Sequence, residues 1–208
     1  MRCRTAAPKA WMLARVLGFA LATLSLSGMP AKAHLVTTGL GPVYDGISHF
    51  LMSPEDFVPV VALALLAGQC GPETARRVLF VLPAAWLVGG IGGVITAPVR
   101  LPDMTGLIFI LLGGLVAAHL RPPGAAVLAV TSLLGLFKGF TNGSEMSVAT
   151  TNMVPLIGIT ATVFVVTALA AAAVVAFTWP PAKIAFRVLG SWTAASGLLL
   201  LALSLRSS

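Results

Sequence analysis

From Val43 onward the chain is a succession of apolar runs separated by short connections rich in proline, glycine and charge. The runs cover Val78–Ala97, Leu101–Leu120, Ala125–Phe140, Met153–Thr178 and Ile184–Leu205, each near the roughly 20 residues that carry a helix across a bilayer. An earlier run, Phe57–Gly68, is too short alone. It suffices if Val43–Met52 dips into the membrane before it, and Pro54 and Pro59 stand where such a broken helix needs them. The pattern therefore predicts an all-α, polytopic transmembrane bundle of about six spans, the first one broken or kinked. The connections, such as Pro98–Arg100 and Arg121–Gly124, leave no room for a second soluble domain.

The N-terminal segment reads differently. Arg2, Arg4, Lys9 and Arg15 precede a short apolar stretch, Val16–Gly28, and Ala31 and Ala33 form an A-x-A pattern. This is the layout of a secretory signal peptide cleaved after Ala33, the alternative being an uncleaved first span. Residues 1–33 would then leave, and residues 34–208 would form the transmembrane domain. Cys3 leaves too, so Cys70 has no partner for an intrachain disulfide.

Composition supports the membrane reading. Of 208 residues, 58% are hydrophobic and 9% are charged, against about 25% charged in a soluble protein. The formal charge is +7, but the basic residues are scattered singly, which argues against a nucleic-acid surface. Five of the thirteen basic residues belong to the leader (Lys32 being the fifth), so eight remain against six acids, a charge of +2.

With His34 on the exported side, Arg76, Arg77, Arg121, Lys183 and Arg187 fall on the cytoplasmic side, as the positive-inside rule requires. Arg100 and Arg206 lie outside. The acids partition the other way: Asp45, Glu55, Asp56, Asp103 and Glu145 are at the external side, Glu73 alone inside. Acids contribute little to topology, so this asymmetry points to function. His119 and Trp179 read as interfacial residues. Gly89, Gly90, Gly92, Gly93, Gly113 and Gly114 read as helix-packing positions, whereas Gly139 and Gly143 alternate with polar residues and invite a second role.

Two polar clusters carry candidate chemistry. The first runs from Asp45 to Asp56 and includes His49 and Glu55, with Asp45 and His49 on one helical face. The second holds Lys138, Asn142 and Glu145 at the external end of the fourth long run. Ionisable groups beside spans are expensive to insert and mark function, with partners expected. The plainer alternatives are that Glu55 and Asp56 cap a helix start, and that Lys138 snorkels to headgroups.

The order of parts resembles the HupE/UreJ family of small bacterial membrane proteins. The likeness rests on a leader, a histidine at the mature start, a histidine–acid motif entering the first span and Phe137-x-Gly139-x-x-x-Gly143-x-Glu145. The family is associated with hydrogenase and urease gene clusters and is regarded as nickel or cobalt permeases. Its first motif places Asp-His six and seven positions after a histidine; here Glu55-Asp56 follow His49. Its second motif has histidines where Lys138 and Asn142 stand.

Imidazole suits Ni²⁺, Co²⁺ and Cu²⁺, and a protonated amine repels them. The resemblance therefore implies a metal site of His34, His49, Glu55, Asp56 and Glu145, joined by a polar network of Asp45, Lys138 and Asn142. An N-terminal His34 adds an amine and a ring, a grip suited to copper. Three functions follow. The first is a divalent-metal permease, with nickel, cobalt or copper as cargo. The second is a transport-inactive structural subunit of a larger membrane complex. The third is a proton-coupled transporter using a carboxylate–lysine switch. No nucleophile–base set, phosphate loop, haem signature or flavin signature points to an enzyme.

Overall fold

A computed structural model describes residues 38–96, 101–149 and 152–207. The expected leader and His34 lie outside these residues. The described residues form seven helices and no strand: α1 (Pro42–Met52), α2 (Pro54–Gln69), α3 (Pro72–Ile95), α4 (Thr105–Ala117), α5 (Gly124–Ala149), α6 (Val154–Ala176) and α7 (Pro180–Ser207). By length and apolarity α3, α5, α6 and α7 each suffice to cross a membrane, and α1 with α2 passes the same test together as one bent pair. With the shorter apolar α4, this is the expected transmembrane bundle of about six spans.

The break in the first span has a local cause. Proline disfavours helical backbone at the residue before it, and Ser53, preceding Pro54, is extended at φ −97° and ψ 94°. The two halves meet at 74°. Pro59, expected to share in the break, lies inside α2 instead. A missing backbone donor there removes one bond near the helix start and leaves the rest of the ladder intact.

Several helices outrun their apolar runs. α3 begins at Pro72, so Glu73, Arg76 and Arg77 are helical, and α5 continues through the expected loop after Phe140 to Ala149. Hydropathy reports the membrane-depth part of a helix and is blind to its polar ends. α4 is shorter than its run, because residues 101–104 are not helical.

α2 is the axis of the bundle. From Val60 to Gln69 only Val61 is not buried, and α2 packs against α3, α4, α6 and α7. Around it, glycines set three close helix pairs, since a missing side chain lets backbones approach. On the α3–α5 seam, a Cβ on Gly139 would overlap the Trp86 carbonyl oxygen, and one on Gly143 that of Gly90. Gly113 of α4 abuts Ala194 and Gly190 of α7, and Gly46 of α1 abuts Pro155 of α6. Gly92 and Gly114, also read as packing positions, leave little or nothing within reach of an added Cβ.

The pairings run parallel for α3–α5 and antiparallel for α4–α7. The starts of α2, α4 and α6 thus share one end of the bundle with the ends of α3, α5 and α7. Asp45, Glu55, Asp56, Asp103 and Glu145 collect there, at the acidic end. Glu73, Arg76, Arg77, Arg121, Lys183 and Arg187 collect at the other, the basic end.

Candidate functional site

The acidic end holds a cavity of about 210 Å³ between the start of α2, the non-helical residues before α4 and the last turns of α5. Glu55, Asp56, Asp103, Lys138, Asn142 and Glu145 all line it. The Ser53–Pro54 break places Glu55 and Asp56 in the first turn of α2. Positive N-terminal helix dipoles favour acids there. On α5, Lys138, Asn142 and Glu145 follow one another at helical spacing and face the cavity together. Gly139 and Gly143 hold α5 against α3 immediately beside them. Their second role is therefore positional: the close seam fixes how α5 presents Lys138 and Asn142.

At the floor of the cavity Lys138 Nζ stands 3.2 Å from Asp56 Oδ1. Asn142 Nδ2 donates to Asp56 Oδ2 at 2.9 Å. All three residues are at least 95% buried. Each carboxylate oxygen thus has a donor, the condition under which a buried ion pair is tolerated. Lys138 does not snorkel outward, and Asp56 does more than cap α2. Glu55 and Glu145 stay exposed at the rim.

Asp103 is a site residue that the sequence motifs missed. It sits outside the helices, where Thr105 N–H donates to its Oδ1 at 2.9 Å. Partial burial alone would raise its carboxyl pKa. Hydrogen bonds from the Thr105 backbone and hydroxyl, with the Lys138 charge, outweigh burial and hold it below the ordinary value. The available signal was its side of the membrane, shared with the other acids, together with the weakness of helix formation around Pro102.

The remaining residues divide. His49 is buried, with Nδ1 lacking a hydrogen-bond partner among the described residues. Asp45 turns elsewhere, its Oδ1 accepting from Thr38 N–H at 2.6 Å and Thr38 Oγ1 at 2.7 Å. The polar network expected of Asp45, Lys138 and Asn142 therefore closes on Asp56, with Asp45 engaged on Thr38. Among the described residues no three His, Cys, Asp or Glu side chains are gathered closely enough to hold a metal ion.

The fold and the site define a polytopic helical membrane protein with a charged cavity at one end of a buried central helix. Residues 20–200 match the family model described as HupE / UreJ protein, and the chain belongs to that family. Comparison with curated proteins and with solved structures returns no match.

Proposed function

We propose that the protein is a divalent transition-metal permease of the HupE/UreJ type, with nickel, cobalt or copper as cargo and the acidic cavity as its outer vestibule. One observation carries the reading: four carboxylate residues and one lysine line the cavity, a formal charge of −3. Such a concave acidic surface concentrates cations. In this reading the acidic end faces the periplasm and the basic end the cytoplasm of the bacterial inner membrane.

Lys138 then acts as a tethered counter-cation. With the vestibule empty it neutralises Asp56, which otherwise would be a buried, unpaired charge. A divalent ion drawn in by Glu55, Asp103 and Glu145 carries twice the charge and competes with the ammonium for Asp56. His49 on α1, with its unpartnered Nδ1, is the imidazole available among the described residues, and His34 would add a second from the N-terminus. Carboxylates with one imidazole make a weak, exchangeable site, as conduction requires.

The test is uptake of Ni²⁺, Co²⁺ or Cu²⁺ into proteoliposomes, with equilibrium metal binding measured beside it. Asp56→Asn and Glu145→Gln should lower uptake at least tenfold, and Lys138→Gln should tighten binding. If neither the wild type nor Lys138→Gln binds or moves any of these ions, the permease reading fails. A transport-inactive subunit then becomes the better account, favoured by the fully engaged Asp56 oxygens and by the lack of a three-donor metal cluster among the described residues.

A further inference from the structure

The basic end holds a second cavity, of about 260 Å³, between the end of α2, the turn after α4, the end of α6 and the start of α7. Gln69, His119, Arg121 and Lys183 line it. Arg187 stands nearby, its Nε donating to the Ala117 carbonyl at 2.9 Å. No carboxylate is on the lining.

The surplus of positive charge there has no carboxylate counterion among the described residues. The sequence holds six acids in all. Five are at the acidic end, and the sixth, Glu73, is paired with Arg77 on the exposed first turns of α3. The positive-inside rule explains why cations stand at this end. It does not explain why they surround a cavity, nor why that cavity keeps a buried polar atom unsatisfied. Gln69 is 7% exposed; its Nε2 donates to the Val116 carbonyl at 3.4 Å while its Oε1 has no partner among the described residues. The guanidinium of Arg121 is 3.2 Å from His119 Nε2. His119 is held on the lining by a left-handed backbone, φ 53°, rare for a residue with a side chain.

The surroundings indicate what carries the anion. Phe177 lines the cavity, and Phe177, Trp179 and Ile184 are each more than half exposed beside it. Aromatic residues at this level seat at the headgroup layer. Basic pockets between spans capture phosphate headgroups. We propose that this cavity binds the phosphate of an anionic phospholipid headgroup, with Arg121 and Lys183 as the charged contacts and Gln69 Oε1 accepting from a headgroup hydroxyl.

Native mass spectrometry of the purified full-length protein, titrated with phosphatidylglycerol or phosphatidylcholine, tests this. The wild type should retain phosphatidylglycerol preferentially. Losing two headgroup-facing charges should weaken that retention about thirtyfold in Arg121→Gln/Lys183→Gln. The double variant Arg76→Gln/Arg77→Gln, which removes equal charge at the same end away from the cavity, should keep it. Equal retention of both lipids overturns the proposal, as does an equal loss in the two double variants. A rise in melting temperature with millimolar inorganic phosphate, without any preference between the lipids, assigns the cavity to free phosphate and overturns the lipid assignment.

Discussion

The Asp56–Lys138 pair ties α2 to α5 through two buried charges, and its value lies in the cost of breaking it. Lys138→Ala strands a carboxylate that is 2% exposed, which costs about 3–5 kcal/mol. Asp56→Asn/Lys138→Met removes both charges and should recover most of the loss. Melting of the wild type, Asp56→Asn, Lys138→Met and the double variant in detergent checks this; simple additivity would sink the pairing. His119 makes a second prediction. Partial burial first, and the Arg121, Arg187 and Lys183 charges second, hold its pKa below the ordinary 6.5. Protons then bind the unfolded chain more tightly, so the stability that His119 contributes is complete above pH 6.5 and is lost as pH falls through its lowered pKa. An NMR titration of His119 should give a midpoint below 6.5.

The partners of these residues were only partly legible. Lys138 and a carboxylate could be matched by charge, but Asp45, Glu55 and Asp56 were equal candidates. The rotation of α2 against α5 decides among them, and it depends on packing that no single segment encodes. Asp45 was claimed by Thr38, a local contact that spacing alone does not reveal.

Among elements, the glycine seams separate close packing from mere presence of glycine. Gly139→Leu would drive its side chain into the Trp86 backbone, part α3 from α5 and shift Lys138; a loss of about 1–3 kcal/mol is expected. Gly114, with nothing within reach of an added Cβ, should accept alanine and gain up to about 1 kcal/mol from helix propensity. Thermal melting of both variants checks the contrast. The existence and order of the spans were legible because apolar runs and prolines are local signals. The lengths of α3 and α5 were not, since polar turns continue a helix beyond the bilayer unseen by hydropathy. Nor was the shortness of α4, whose apolar run extends over non-helical residues that line the cavity.

At the scale of the molecule, charge is sorted by end, and this sorting was readable from the loops alone. It predicts sidedness. Cys70, partly buried with its thiol pKa raised by that burial, lies at the basic end. With Cys3→Ser as background, a membrane-impermeant maleimide should label Cys70 slowly in inverted vesicles, faster at higher pH, and leave it untouched in intact cells. Labelling from outside would reverse the orientation.

The two cavities open at opposite ends of the same helix: Asp56 lines one and Gly68 the other, about 18 Å apart along the axis of α2. A bilayer core is about 30 Å thick. Water reaching into both ends would make the membrane voltage fall across the shorter distance, concentrating the field on the apolar middle of α2. A doubly charged ion crossing that layer gains about 4.6 kcal/mol per 100 mV. On the permease reading proposed above, with the acidic end outside, a resting potential negative inside would then drive the cation from the acidic end to the basic one without any chemical fuel.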